Sequence, residues 1–271
     1  MKRFIAVLSA AVILLSSAAC TKKEKELDIS ENAAYAKYVD AVSAVRASGS
    51  FDGELSYYVT STIMNQDYEV ENKTGIKYIF GDADNPQVGI DATLGAENYK
   101  AYYKDGMYYY IDNSEYSIGN FKFAMQGDSL NDITNSSLVT DVLFSEEDII
   151  ELEAIEDSDG TAFRFVVSES GMQEYLQAYS NYAMTNGLDD GHGSDFDYIF
   201  DDIVVMTRFG KKNELTSVRL LYLLTISHYG EEMVSYIEIG IHVSKYGNIV
   251  IDFPKDLESF QDLNDEYAQF S

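Results

Sequence analysis

The chain has one cysteine, two prolines, no tryptophan and three histidines among its 271 residues. A lone Cys excludes an intrachain disulfide, so stability has to come from packing. His192, His228 and His242 leave little material for imidazole catalysis or a His-rich metal site. Two of them, His228 and His242, fall in strand-like stretches, where a satisfied structural imidazole is the commoner outcome. The lack of Trp removes a side chain that often lines sugar subsites. Cations are also scarce, 19 Lys+Arg against 46 Asp+Glu, for a formal charge of −27. That balance excludes ordinary nucleic-acid binding, which needs basic patches to displace counterions. There is no phosphate loop, no dinucleotide fingerprint and no Gly-x-Ser-x-Gly elbow.

What is present begins at residue 2. Lys2 and Arg3 precede an uncharged run, Phe4 to Ala19, and then the sole cysteine, Cys20. A basic start, an apolar stretch and small residues before a cut site read as a secretory signal peptide over residues 1–19. The run of 16 uncharged residues is shorter than the roughly 20 that a spanning helix needs, and no second apolar segment approaches that length. A unique Cys at the cut site identifies a bacterial lipoprotein, with the Cys20 thiol acylated and becoming the new N-terminus. The stretch Leu15-Ser16-Ser17-Ala18-Ala19-Cys20 resembles a lipobox, with Ser17 where Leu is usual. The alternatives are cleavage before Cys20 without lipid, which leaves a free thiol, and an uncleaved anchor. Residues 1–19 hold two cations and no acid, so the remainder has 17 cations against 46 acids, a formal charge of −29. Residues 20–32 read as a polar tether. Its Lys22, Lys23 and Lys25 either support anchoring on an anionic leaflet or form a solvated linker with the interleaved Glu24 and Glu26.

Residues 33–271 read as one α+β domain. Tyr35, Tyr38, Val39, Val42 and Val45 recur at helical spacing, with Ser30 or Asn32 as cap and Gly49 as stop. From Ser50 the period falls to two. Phe51, Leu55, Tyr57, Val59 and Ile63 share one face. Further runs follow through Tyr68–Phe80, Val88–Leu94, Tyr99–Tyr103 and Met107–Ile111, with a tight turn at Lys104-Asp105-Gly106. Such alternation predicts an antiparallel sheet with one buried face. Residues 130–143 suggest a helix weakened at Asn135-Ser136-Ser137. A hairpin follows around Asp157-Ser158-Asp159-Gly160, then a second helix over 169–183. Strands are expected over 203–209, 215–228, 233–243 and 249–253, and a final helix over 256–270.

This order of elements resembles the LolA/LprG/LppX-like group of envelope lipoproteins and lipid carriers, and more closely uncharacterised Gram-positive lipoproteins of that architecture. The resemblance rests on the helix after the tether, the segment Ala101-Tyr102-Tyr103-Lys104-Asp105-Gly106-Met107-Tyr108-Tyr109-Tyr110, the central helices and the ending Gly247-Asn248-Ile249-Val250-Ile251-Asp252-Phe253-Pro254. It implies a half-barrel, a strongly curved antiparallel sheet with helices packed on the concave face, which in several relatives shelters acyl chains.

Asp189, Asp190, His192, Asp195 and Asp197 share one Gly-containing loop, and oxygen-rich loops can hold a cation. Their spacing does not match an EF-hand, so a solvated loop is the better reading and no metal or cofactor is expected. With 22 Tyr and 14 Phe, aromatic side chains either fill a core or line an apolar groove. The expected function is non-enzymatic. The chain would be anchored through acylated Cys20 on the extracytoplasmic face of the cell membrane. There it would bind a lipid or other apolar ligand in a groove walled by Leu55, Tyr57, Val59, Tyr78 and Tyr109. The rival is an envelope interaction or scaffold protein with a filled core and a protein partner.

Overall fold

The structure, a computed structural model, describes residues 25–63, 66–82, 84–94, 97–112, 119–125, 130, 134–173, 175–176, 197–228 and 231–263. The signal peptide, Cys20, His192 and the acidic loop up to residue 196 lie outside the described residues. No helix among those described is long and apolar enough to cross a membrane.

A short strand, β1 (Lys25–Glu26), leads into helix α1 (Glu31–Ser48). Ser30 caps α1, its hydroxyl accepting the N–H of Ala33 at 3.3 Å, which satisfies one of the orphan amides of the first turn. Gly49 ends it with φ +71° and donates its N–H to Arg46, the left-handed stop that glycine supplies without a Cβ clash. Six strands follow in order: β2 (Ser50–Ile63), β3 (Gln66–Ile79), β4 (Gln87–Leu94), β5 (Glu97–Lys104), β6 (Met107–Asp112) and β7 (Phe121–Ala124). After the four-residue helix α2 (Ser137–Thr140) come β8 (Ile149–Asp157), β9 (Gly160–Val167), β10 (Asp197–Phe209), β11 (Leu215–His228), β12 (Glu231–Tyr246) and β13 (Gln261–Asp262).

The two runs of strands form one open sheet of 13 strands, ordered β1-β8-β9-β10-β11-β12-β2-β3-β4-β5-β6-β7-β13. The join is β12 on β2, antiparallel from Val234 opposite Thr62 to Tyr246 opposite Phe51. All other neighbours are antiparallel except β13 on β7. The sheet curves so that a single apolar cluster takes Ile76, Val88, Ala101 and Tyr103 from β3–β5 and Phe163, Phe165, Val205 and Phe209 from β9–β10, with Tyr38, Val42 and Val45 of α1 between them. Tyr38 is fully buried; its ring stacks on Phe144 at 5.4 Å and meets Phe165 at 6.1 Å. Bulges adjust the register. One between Ile149 and Glu151 leaves Ile150 exposed. Another between Asp201 and Val204, with Asp202 at φ +52°, lets Ile203, Val204 and Val205 all be buried, which strict alternation forbids.

Three expected elements differ. The helix over 130–143 is interrupted: Leu130 and Thr134 are helical, Asn135 takes φ +47° and breaks the run, and α2 follows, while residues 131–133 lie outside the described residues. Residues 249–253 form no strand. They run as a strap across the outer face of the sheet, with Ile251 over Gly89 and Phe253 against Tyr102 at 5.8 Å. The described part of the final segment is a 3-10 turn (Leu257–Ser259) and β13, with Leu257 and Phe260 packed around Tyr109. Apolar contacts with the outer face and backbone hydrogen bonds from Gln261 to Asn120 and from Leu263 to Lys122 hold this segment. Of the second helix, residues 169–173 and 175–176 are helical and the remainder of the expected span lies outside the described residues.

Candidate functional site

The inner face of the sheet, the side that packs against α1, is mostly apolar, although β3 sets Thr74 opposite Leu55 and Asn72 opposite Tyr57, and its cover is uneven. Near one end of β2, Phe51 and Ile76 are buried beneath α1. Further along β2, Leu55, Tyr57 and Val59 face the same way and are only half-buried. Val59 lies opposite Val70 on β3 and Ile237 on β12. Val70 is 48% exposed and Tyr68, two residues on, is 51% exposed. Antiparallel pairs directly across from each other share a face, so Val59, Val70 and Ile237 form one apolar patch of the inner wall, bordered on β3 by Asn72 opposite Tyr57 and by Tyr68 opposite Ser61.

Polar groups punctuate that wall. Ser61 and Ser235 hydroxyls meet at 2.8 Å. Tyr222 on β11, opposite Ile237, is fully buried, and its hydroxyl has no hydrogen-bond partner among the described residues. Burial pushes the Tyr222 phenol far above its ordinary range, and the facing hydroxyls of Tyr57 and Tyr175 raise it further. Tyr175 is itself pushed up to about 12 by burial, against a lowering hydrogen bond with Ser137. Three phenols from three elements therefore converge, and burial keeps those of Tyr222 and Tyr175 neutral at physiological pH. A mostly apolar surface with a few convergent polar groups is the ordinary composition of a small-molecule site.

The residues expected in the groove separate into three places. Leu55, Tyr57 and Val59 stand together on the inner wall. Tyr78 is on the same face but deep in the core, edge-on to Phe51 at 6.1 Å. Tyr109 is on the opposite face, in the small cluster with Leu257 and Phe260. Alternation along β6 sends Tyr108 and Tyr110 inward and Tyr109 outward. Tyr222 was not singled out by sequence, since an apolar run such as Leu220 to Leu224 looks like any buried strand.

The outer face has a cavity of about 220 Å³ between the strap and β2–β5. Its floor is the bare backbone of Gly75 and Gly89, and its rim holds the pairs Lys77–Asp52 at 4.0 Å and Lys100–Asp91 at 2.9 Å. No group of three or more His, Cys, Asp or Glu among the described residues is placed to hold a metal ion.

The architecture defines the class, an open curved antiparallel sheet with few helices. No family model matches the sequence, and neither does any curated protein. Similar solved structures include a DUF1329 family protein from Desulfovibrio piger, at 10% identity, 79% of this chain and 92% of that one, and a TM-score of 0.27. A LolA superfamily protein from Nitrosomonas europaea matches at 8% identity over 82% and 96%, TM-score 0.26. A putative outer membrane lipoprotein-sorting protein domain from Vibrio parahaemolyticus matches at 6% over 85% and 98%, TM-score 0.25. Likenesses at these scores carry no function to this chain.

Proposed function

We propose that this chain is a non-catalytic, extracytoplasmic protein, anchored through acylated Cys20, that holds a lipid or similar apolar ligand against the inner face of its sheet. The observation that carries this reading is the wall beyond α1, where Tyr57, Val59, Tyr68 and Val70 lack, among the described residues, the cover that buries Phe51 and Ile76. Binding would bury that area at about 25 cal/mol per Å². The buried phenol of Tyr222, unpartnered among the described residues, offers a hydrogen bond to a ligand oxygen. The leader, the sole Cys at its end and the resemblance to envelope lipid carriers support the location.

The rival reading, a scaffold that binds another protein, is favoured by the packing beneath α1, where Phe51, Phe163, Phe165 and Phe209 are almost wholly buried. Native mass spectrometry separates the two. The chain from Thr21 onward, purified without detergent, is expected to carry a stoichiometric apolar molecule that organic extraction releases. A clean apo mass, unchanged after incubation with membrane lipids, overturns the carrier reading in favour of the scaffold.

A further inference from the structure

Charge in the β8–β12 half of the sheet separates along the strands. One end has the turns 157–160 and 210–214; the other has residues 145–149, the start of the helix at 169 and the turn into β12. Every Lys and Arg of these five strands and their described turns lies at the first end or midway. Arg208, Lys211, Lys212 and Lys245 are at the first end. The midway pair, Arg164 and Arg219, is matched by Glu153 at 3.5 Å and Glu238 at 2.8 Å. The other end carries Glu146, Glu147, Asp148, Glu169 and Glu232, with no Lys or Arg among the described residues there.

The chain enters the sheet at the lysine end. Lys25 sits opposite Glu156, and the N–H of Leu27 donates to Ala154 at 2.9 Å. Five residue steps separate Cys20 from Lys25, a reach of at most about 18 Å. The strands are much longer: the 16 residues of β12 extend about 50 Å. A lipid on Cys20 therefore pins the lysine end close to the headgroups and leaves the acidic end free to swing. Acids at the pinned end are largely engaged. Glu156 sits opposite Lys25, Asp157 pairs with Arg208, a Glu214 carboxylate oxygen accepts the N–H of Lys212 at 2.8 Å, and Asp159 accepts the Ser158 hydroxyl at 3.2 Å. Lysines near an anionic leaflet are attracted, acids are repelled, and both effects fade within about one Debye length, roughly 8–10 Å.

We propose that the anchored protein stands on end, with the turn 210–214 facing an anionic bilayer through Lys211 and Lys212 and the acidic end pointing away. This rests on the lipidation of Cys20. It offsets the net acidity of the chain locally, since contact involves one end rather than the whole surface. It also lifts the half-exposed wall at Val59 off the membrane. Val59 is eight residues along β2 from Phe51, about 26 Å, so a ligand reaches the wall from the extracytoplasmic side.

Neutron reflectometry on a supported bilayer containing phosphatidylglycerol tests this. The full chain is purified from its membrane, and its mass first shows whether Cys20 is acylated. If Cys20 is bare, the anchoring reading fails, and orientation is then read on the same chain coupled through the Cys20 thiol to a maleimide lipid. A protein layer about 50 Å thick is expected, falling to less than half that in Lys211→Glu/Lys212→Glu and on a bilayer of phosphatidylcholine alone. Circular dichroism verifies that the variant is folded. A thin layer for the unaltered chain, or equal thickness in all three cases, overturns the proposal.

Discussion

The hydroxyl of Tyr38 accepts the backbone N–H of Leu143 at 3.2 Å and donates to the carbonyl of Asp141 at 3.4 Å. One buried side chain of α1 thus satisfies the irregular segment between α2 and β8, which has no ladder of its own. Tyr38→Phe keeps the ring stack on Phe144 and strands the buried N–H of Leu143. The expected loss is about 1–3 kcal/mol, read as a lower urea midpoint with unchanged slope.

Asp157 closes the β8–β9 turn. Burial alone would raise its pKa, but Arg208 and the backbone N–H groups of Asp159 and Gly160 outweigh it and hold the carboxyl below the usual range. A folded pKa below the unfolded value stabilises the fold above the unfolded pKa, ordinarily 3.8. That contribution is lost as pH falls through the folded pKa. Asp157→Asn is expected to cost about 1–3 kcal/mol at neutral pH. Its difference from the unaltered chain should narrow below the unfolded pKa and close only below the folded one, as followed by urea titrations at stepped pH.

Tyr236, on the outer face of β12, is pushed up to about 12, first by burial and then by the charge of Glu238. Below the ordinary tyrosine value of 10.0 it is neutral whether folded or unfolded. Between 10 and about 12 only the unfolded chain ionises there, so stability falls as pH rises through that window. Tyr236→Phe removes this share, and its stability should decline less steeply from pH 10 to 12 than that of the unaltered chain.

The strap depends on a missing side chain. A Cβ on Gly89 would sit 3.0 Å from Ile251 Cγ2, whereas one on Gly75 would lie 3.5 Å from the carbonyl oxygen of Asp91, an ordinary contact. Gly89→Ala is expected to cost about 1 kcal/mol and Gly75→Ala nothing or a small gain. Shortening the neighbour with Ile251→Val should relieve Gly89→Ala, giving a coupling energy in a double-mutant cycle. Additive costs would show that the strap does not rest on Gly89.

Val70 tests the inner wall with little risk to folding, because it is half-exposed. Val70→Glu places a charge opposite Val59, where an apolar ligand would have to desolvate it. The expected result is loss of the co-purified apolar molecule with a melting temperature within about 3 °C of the unaltered chain, since surface substitutions usually stay within about 0.5 kcal/mol.

Local chemistry made several elements readable in the amino-acid order alone. Ser30 and Gly49 bracket α1 because an N-terminal hydroxyl and a left-handed stop act within one turn of the residues they serve. Lys104-Asp105-Gly106 marks a turn because Asp105 and Gly106 both adopt positive φ, and alternation marked most of the strands because its period is set within each strand. Tertiary structure decided the rest. Nothing local brings Tyr246 beside Phe51; closing that distance in sequence is repaid only by the shared core around α1. Alternation gives Tyr109 a face opposite to Tyr108 without saying which is buried by the helix, and the outer face acquires its own apolar cover only when Leu257 and Phe260 fold back on it. The same holds for Tyr222, whose hydroxyl is left without a partner among the described residues by the meeting of several strands rather than by any neighbour in the chain.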